Sequence, residues 1–170
     1  MLGSFGLGAS KLLTPQPEAI AELEAELDPA LDAGWHDDAL ALLAGGWRDQ
    51  VTAAAAIALA GADDALLAAL WRAVDGSSWV APQLVAAAFI ADGAFEARAA
   101  ERLGDPMRRA PKTIGALVRA YTRSASRRMP VMAQLGVHDR TMATEEARIG
   151  VRGVDGWLDY FSARSPARPR

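Results

Sequence analysis

Cysteine is absent from the 170 residues, which excludes a disulfide framework, a thiolate metal site and a cysteine nucleophile. Long apolar runs are missing too: none approaches the roughly 20 residues of a membrane-spanning helix, so no membrane partner is expected. Aromatic residues make up 6% of the chain, β-branched residues are sparse, and no segment sustains a period-two alternation. These shortages argue against strands. The opening MLGSFGLGAS has no positive charge ahead of its short apolar run and no cleavage region, so a secretory leader is not expected and the expected compartment is the cytoplasm. Lysine is scarce, since sixteen of the eighteen basic residues are arginine; with thirty-eight alanines, that bias suggests a GC-rich bacterial genome.

What is present has a globular balance, 51% hydrophobic and 23% charged, which excludes wholesale disorder. A soluble chain of this length forms one core and buries about 70% of the surface its unfolded form exposes. A single helical domain over residues 1–163 is expected, followed by a flexible tail at 164–170, RSPARPR.

Between residues 17 and 31, Ile20, Leu23, Leu27 and Leu31 recur at helical spacing, while Glu18, Glu22 and Glu26 form a separate acidic stripe. Thr14 followed by Pro15 suits a helix start, and Gly34 suits a stop. The same alternation of apolar run and Gly, Asp or Pro punctuation predicts helices over 36–44, 47–60, 62–74, 79–92, 94–103, 111–125 and 144–163. Residues 124–142 include Pro130 and Gly136 with mixed spacing, and read as a loop with at most one short helix. The fold class is therefore all-α.

An internal similarity refines that reading. At an offset of 32, GWRDQVTAAAAIALA (46–60) lies over SWVAPQLVAAAFIAD (78–92), aligning Trp47 with Trp79, residues 54–56 with 86–88, and Ile57 with Phe89. A further step of 32 places Val118, Ala120 and Tyr121 over Ala86, Ala88 and Phe89. A fixed period containing two short helices is the sequence form of a short α-solenoid of antiparallel helix pairs. The alternative is an irregular alanine-rich helical bundle in which the offset reflects composition alone. Residues 51–60 are apolar on nearly every side and belong inside, where alanine lets helices approach closely.

In these segments the chain resembles compact HEAT-like repeat proteins, over a repeat-like core of about 36–125. That resemblance implies a HEAT-like solenoid with a curved interaction surface, in a family where enzymes are the minority.

Local motifs for catalysis are weak. GSFGLGASK lacks the lysine and hydroxyl of a phosphate loop, and no strand precedes it. Gly150, Gly153 and Gly156 miss the dinucleotide spacing and fit close backbone packing or breaks in the last helix. His36 beside Asp37 and Asp38, and His138 beside Asp139, are the only His–carboxylate neighbours, and chemistry there would need distant groups to converge. Asp37 and Asp38 suit the positive end of a helix, as do Glu145 and Glu146 after Thr144. No catalytic residue, metal ligand or cofactor is assigned.

Charge is more informative. Residues 1–85 carry 12 acids against 3 bases, net −9, and residues 86–170 carry 9 acids against 15 bases, net +6. Such polarity either orients parts of one fold or marks a surface for a charged partner. Within 98–128 the net charge is +7, from Arg98, Arg102, Arg108, Arg109, Lys112, Arg119, Arg123, Arg127 and Arg128 against Glu101 and Asp105. Arg119, Arg123 and Arg127 share one helical stripe that could present guanidinium forks to carboxylates or phosphates, or simply face solvent.

Of the five tryptophans, Trp47 and Trp79 occupy equivalent repeat positions and are expected to be structural, whereas Trp35 and Trp157 are candidate partner anchors. In the last helix Val151, Val154, Leu158 and Phe161 form the apolar stripe, able to cap the solenoid or meet a partner. The expected function is non-catalytic binding of another protein with an acidic surface, as a bacterial immunity or adaptor protein. Nucleic-acid binding through the basic 98–128 region is the second expectation, and an enzyme with a dispersed site the third.

Overall fold

The computed structural model describes residues 9–32, 34–76, 79–105, 109–124 and 142–162, and every regular element among them is helical. In chain order these are α1 (Ala9–Leu12), α2 (Pro17–Asp32), α3 (Trp35–Leu43), α4 (Trp47–Ala60), α5 (Asp64–Asp75), α6 (Ala81–Ala91), α7 (Phe95–Leu103), α8 (Pro111–Ser124) and α9 (Glu145–Ser162). No helix among the described residues is long and apolar enough to cross a membrane. The expected loop at 124–142 and the tail at 164–170 fall outside the described residues, apart from the segment's first and last positions.

Local chemistry sets the helix boundaries. At the start of α5 the Asp63 carboxylate accepts the Leu66 N–H at 2.9 Å, so Asp63 is the cap and the helix begins at Asp64, two residues later than its apolar pattern suggests. Thr144 does the same for α9, its hydroxyl accepting the Ala147 N–H at 3.2 Å. Gly34, between α2 and α3, has φ 82°, a left-handed conformation that glycine adopts without the penalty of a Cβ. One expected start moves: Thr14 and Pro15 lie in a turn, and α2 begins at Pro17, with the Gln16 carbonyl accepting the Ile20 N–H at 3.1 Å. Proline suits that first position because the N–H it lacks would have had no partner in the helix.

The helices α4, α6 and α8 form a row, α6 packing against both others. On one flank α3 packs on α4, α5 on α6 and α7 on α8. On the other, α1 and α2 pack on α4, and α9 packs on α6 and α8. Because the row is covered on both flanks, it is apolar nearly all round: every residue from 51 to 57 in α4 and from 81 to 88 in α6 is buried. Alanine serves here by letting neighbouring helices close up, while Ile57, Leu84, Ile114 and Leu117 fill the remaining space.

The first helix meets α6 and α9 on the second flank. The Trp157 indole N–H donates to the Leu12 carbonyl at 2.9 Å, and the Gln83 amide donates to the Leu13 carbonyl at 2.9 Å. These bonds satisfy two carbonyls at the end of α1 that the helix itself leaves without partners. Between α8 and α9 the approach is tighter still. A Cβ at Gly115 would collide with the Ala147 backbone, and one at Gly150 with the Lys112 carbonyl. Glycine is required there by contact between backbones, which corresponds to the close-packing role expected for Gly150. A Cβ at Gly153 would meet Pro82 Cβ at 2.9 Å, whereas one at Gly156 would meet nothing within 4 Å.

Candidate functional site

The basic run is largely engaged with the chain's own carboxylates. Arg102 grips Asp75 through two bonds, Nε to Oδ1 at 3.0 Å and Nη2 to Oδ2 at 2.8 Å, while its guanidinium lies 4.2 Å from the Trp71 ring centroid. Arg109 reaches the same Asp75 Oδ1 at 3.1 Å and donates to the Arg102 carbonyl at 2.9 Å. An acid of the first half and two bases of the second thus join the end of α5 to the end of α7. Arg98 Nε stands 3.5 Å from the buried Asp92 carboxylate, which also accepts the Trp71 indole N–H at 2.8 Å and the Ala94 N–H at 2.8 Å. A buried carboxylate with three partners is a satisfied structural group.

Arg119 and Arg123 share the predicted stripe on α8, and that stripe faces α9. Arg119 pairs with Asp155 at 2.7 Å, and Arg123 with Asp159 at 2.8 Å and Asp155 at 3.8 Å. The Asp155 hydrogen bond and charge push the Arg119 pKa further up. Arg108 and Arg127 lie outside the described residues.

The tryptophans exchange roles. Trp157, a candidate anchor, has no exposed surface and forms part of the core beside Phe161, because α9 is pressed along the row and turns that ring toward α1. Trp35 is half-buried against the core. Trp79, expected to be structural, is 61% exposed. The reason is its register: it precedes α6 by two residues, outside the stretch held between neighbouring helices. Its ring meets half-buried Trp47 edge to face at 5.7 Å. Both rings carry a cation, with Arg48 4.3 Å from the Trp47 centroid and the Lys112 ammonium 4.5 Å from that of Trp79. Lys112 also donates to the Trp79 carbonyl at 2.8 Å. Burial lowers the Lys112 pKa, and the nearby Glu146 charge opposes that shift.

Beside this pair opens a groove of about 650 Å³ between α3 and α5, with both indoles in its lining. Its lining is mostly apolar, with Leu40, Leu43, Ala69 and Ala73 among the residues, and it contains one charge, Arg72, which is exposed. The volume falls in the range that holds a small molecule or a few side chains of a peptide. The turn into α4 shapes one wall: the Gly46 N–H donates to Asp49 Oδ2 at 2.9 Å, and a Cβ at Gly45 would collide with that carboxylate. Gln50 ties this wall to the end of α3 through the Leu43 carbonyl at 3.2 Å.

The histidine expected beside Asp37 and Asp38 finds its partner on another helix. His36 Nε2 lies 2.8 Å from Asp63 Oδ2, and Nδ1 lies 3.5 Å from Asp37 Oδ1. Asp63 raises the His36 pKa, while the Leu66 N–H and then His36 lower that of Asp63. His138 and Asp139 lie outside the described residues. Glu145 opens α9 as expected and is also held in its charged form by Arg152 at 2.7 Å. Among the described residues no three of His, Asp and Glu are gathered as a metal site would require.

The groove was missed by sequence reasoning because aligned tryptophans were weighed as repeat landmarks. A signal did exist: Trp47 follows Gly45 and Gly46, and Trp79 follows Gly76, Ser77 and Ser78, residue types that favour turns over helix interiors. Compared with family models, curated proteins and solved structures, the chain matches none.

Proposed function

We propose that the chain is a non-catalytic protein-binding module, built as a short HEAT-like solenoid and acting as a bacterial immunity or adaptor protein. The solenoid reading draws support from the succession of α3 with α4, α5 with α6 and α7 with α8, in which the second member of each pair joins one row. Short turns between consecutive helices favour antiparallel neighbours. A repeat array carries its binding residues on side chains that the stack leaves uncovered.

The observation that carries the binding reading is Trp79, a large aromatic side chain 61% exposed beside an apolar groove. Aromatic residues of this kind supply much of the energy at protein interfaces when a partner desolvates them. Nucleic-acid binding through 98–128 draws less support, since Arg102, Arg109, Arg119 and Arg123 already hold Asp75, Asp155 and Asp159. Phosphate binding would have to compete with those pairs.

Affinity capture from the source cells, with and without nuclease, tests this function. A stoichiometric protein that survives nuclease is expected. Recovery that disappears with nuclease would replace the protein-binding reading with the nucleic-acid one.

A further inference from the structure

We infer that the groove between α3 and α5 receives an acidic segment of the partner protein, with an apolar side chain against Trp47 and Trp79 and carboxylates on Arg72 and the adjoining Arg48. This rests on the protein-binding reading above and names the chemistry of the partner.

The apolar half of the argument is one of exposure. Among the described residues the large exposed hydrophobics are Trp79 and Ile149, and Trp79 lines the groove. The groove wall continues the indole surface with aliphatic carbon from Leu40, Leu43, Ala69 and Ala73. A side chain placed there would remove apolar surface from water on both sides of the contact, which is the main driving force of association.

The other half is charge. Elsewhere the chain answers its cations with its own carboxylates, as Asp75 does for Arg102 and Arg109, and Asp155 and Asp159 do for Arg119 and Arg123. At the groove it does not: the lining holds Arg72 and no carboxylate, and Arg72 forms no ion pair with any described residue. Arg48 and Lys112 are offered to ring faces. Of the neighbouring acids, Asp75 is held by two arginines, Asp49 accepts the Gly46 N–H and Glu146 lies near Lys112, so Arg72 is the lining cation that the chain leaves open. An incoming carboxylate would complete what the chain leaves open, and the cations would favour acidic segments over basic ones.

A nucleobase is less well matched. Stacking platforms present flat aromatic faces along a basic track, whereas these two indoles meet edge to face, each bears a cation, and the adjoining wall is aliphatic.

The test uses the full chain and four fluorescent probes, read by anisotropy and by the shifts of the indole N–H resonances. The first probe is a twelve-residue peptide of Glu, Asp and Ser with two adjacent leucines. The second replaces its acids by lysine, the third replaces its leucines by serine, and the fourth is a twelve-nucleotide thymidine oligomer. The first peptide is expected to bind, at least about tenfold more tightly than the other three, and to shift the Trp79 indole signal. Trp79→Ala and Arg72→Glu should each weaken it about tenfold or more, and Ile149→Ala should leave it unchanged. No binding by the first peptide, equal binding by the lysine peptide, tighter binding by the oligonucleotide, or insensitivity to Trp79→Ala would each overturn the inference. So would a dimer in sedimentation that Arg72→Glu dissolves, because a second copy would then be the occupant. The two levels separate in the capture experiment. A nuclease-resistant partner retained by Trp79→Ala sinks the groove and leaves the protein-binding function standing.

Discussion

The seam between α8 and α9 and the groove between α3 and α5 are both contacts between neighbouring helices, and they end differently. At the seam Gly115 and Gly150 bring backbones together, Arg119 and Arg123 find Asp155 and Asp159, and Trp157 is fully enclosed. At the groove the facing side chains Leu40, Ala69 and Ala73 leave an opening, Arg72 stays unanswered and Trp79 looks outward. At the seam the arginines are answered within the chain, and at the groove an exposed indole adjoins an arginine that forms no ion pair with a described residue. The difference teaches where to look for a partner: surplus of both kinds in one place is what a binding surface requires, whereas a basic run by itself is not.

The sharpest way to break the comparison is to truncate one tryptophan in each region. Trp157→Ala should cost about 3–5 kcal/mol in denaturant unfolding, from the lost burial, the cavity and the abandoned Leu12 carbonyl. Trp79→Ala should change stability by no more than about 0.5–1 kcal/mol, its effect falling on binding. Equal losses in the two variants would mean that Trp79 is structural after all.

Gly150→Ala tests the seam by adding one methyl group against the Lys112 carbonyl, and should destabilise by about 1–3 kcal/mol as α9 is pushed away from α8. Gly156→Ala, with open space around it, should be neutral or slightly stabilising, because alanine is the better helix former. If both substitutions act alike, the close approach of the two backbones is not what holds α9.

Arg123→Ala should cost less than about 1 kcal/mol, with the loss shrinking as salt is raised, since the pairs with Asp155 and Asp159 are partly exposed. A salt-independent loss would show that the arginine acts through its aliphatic stem.

The smallest effect lies at His36, which links the start of α3 to the cap of α5. Asp63 raises its folded-state pKa, so the pair stabilises the fold fully below the unfolded histidine value of about 6.5, and that contribution is lost as pH rises through the raised folded value. On the acid side, the Asp63 pKa is lowered on folding, so its contribution holds above the usual carboxylate range and is lost as pH falls through the lowered value. Unfolding midpoints measured from pH 5 to pH 9 should decline slightly on the alkaline side, and His36→Gln should remove that slope. A slope unchanged in the variant would assign it to another group.

Much of the secondary structure was legible because its determinants are local. Proline at 111, threonine at 144 and glycine at 34 punctuate the helices through hydrogen bonds and dihedral limits spanning a few residues, whereas the expected starts at Thr14 and Pro15, and at residue 62, gave way to Pro17 and to the Asp63 cap. The alanine run of α4 was rightly read as interior, since only a helix surrounded by neighbours is apolar on all sides. The partner surface was not legible in the same way. Arg119 and Arg123 were seen as a stripe, but whether that stripe faces water or Asp155 depends on a helix more than thirty residues away.

The sequence by itself determined an all-α fold, where most of its helices begin and end, and which of them are apolar throughout, because these follow from side-chain periodicity and from capping chemistry within one or two turns. Only the tertiary structure decided that Trp157 goes inside and Trp79 outside. Both are large apolar residues with favourable burial energy, and the choice between them is made by which neighbouring helices are near enough to cover each ring.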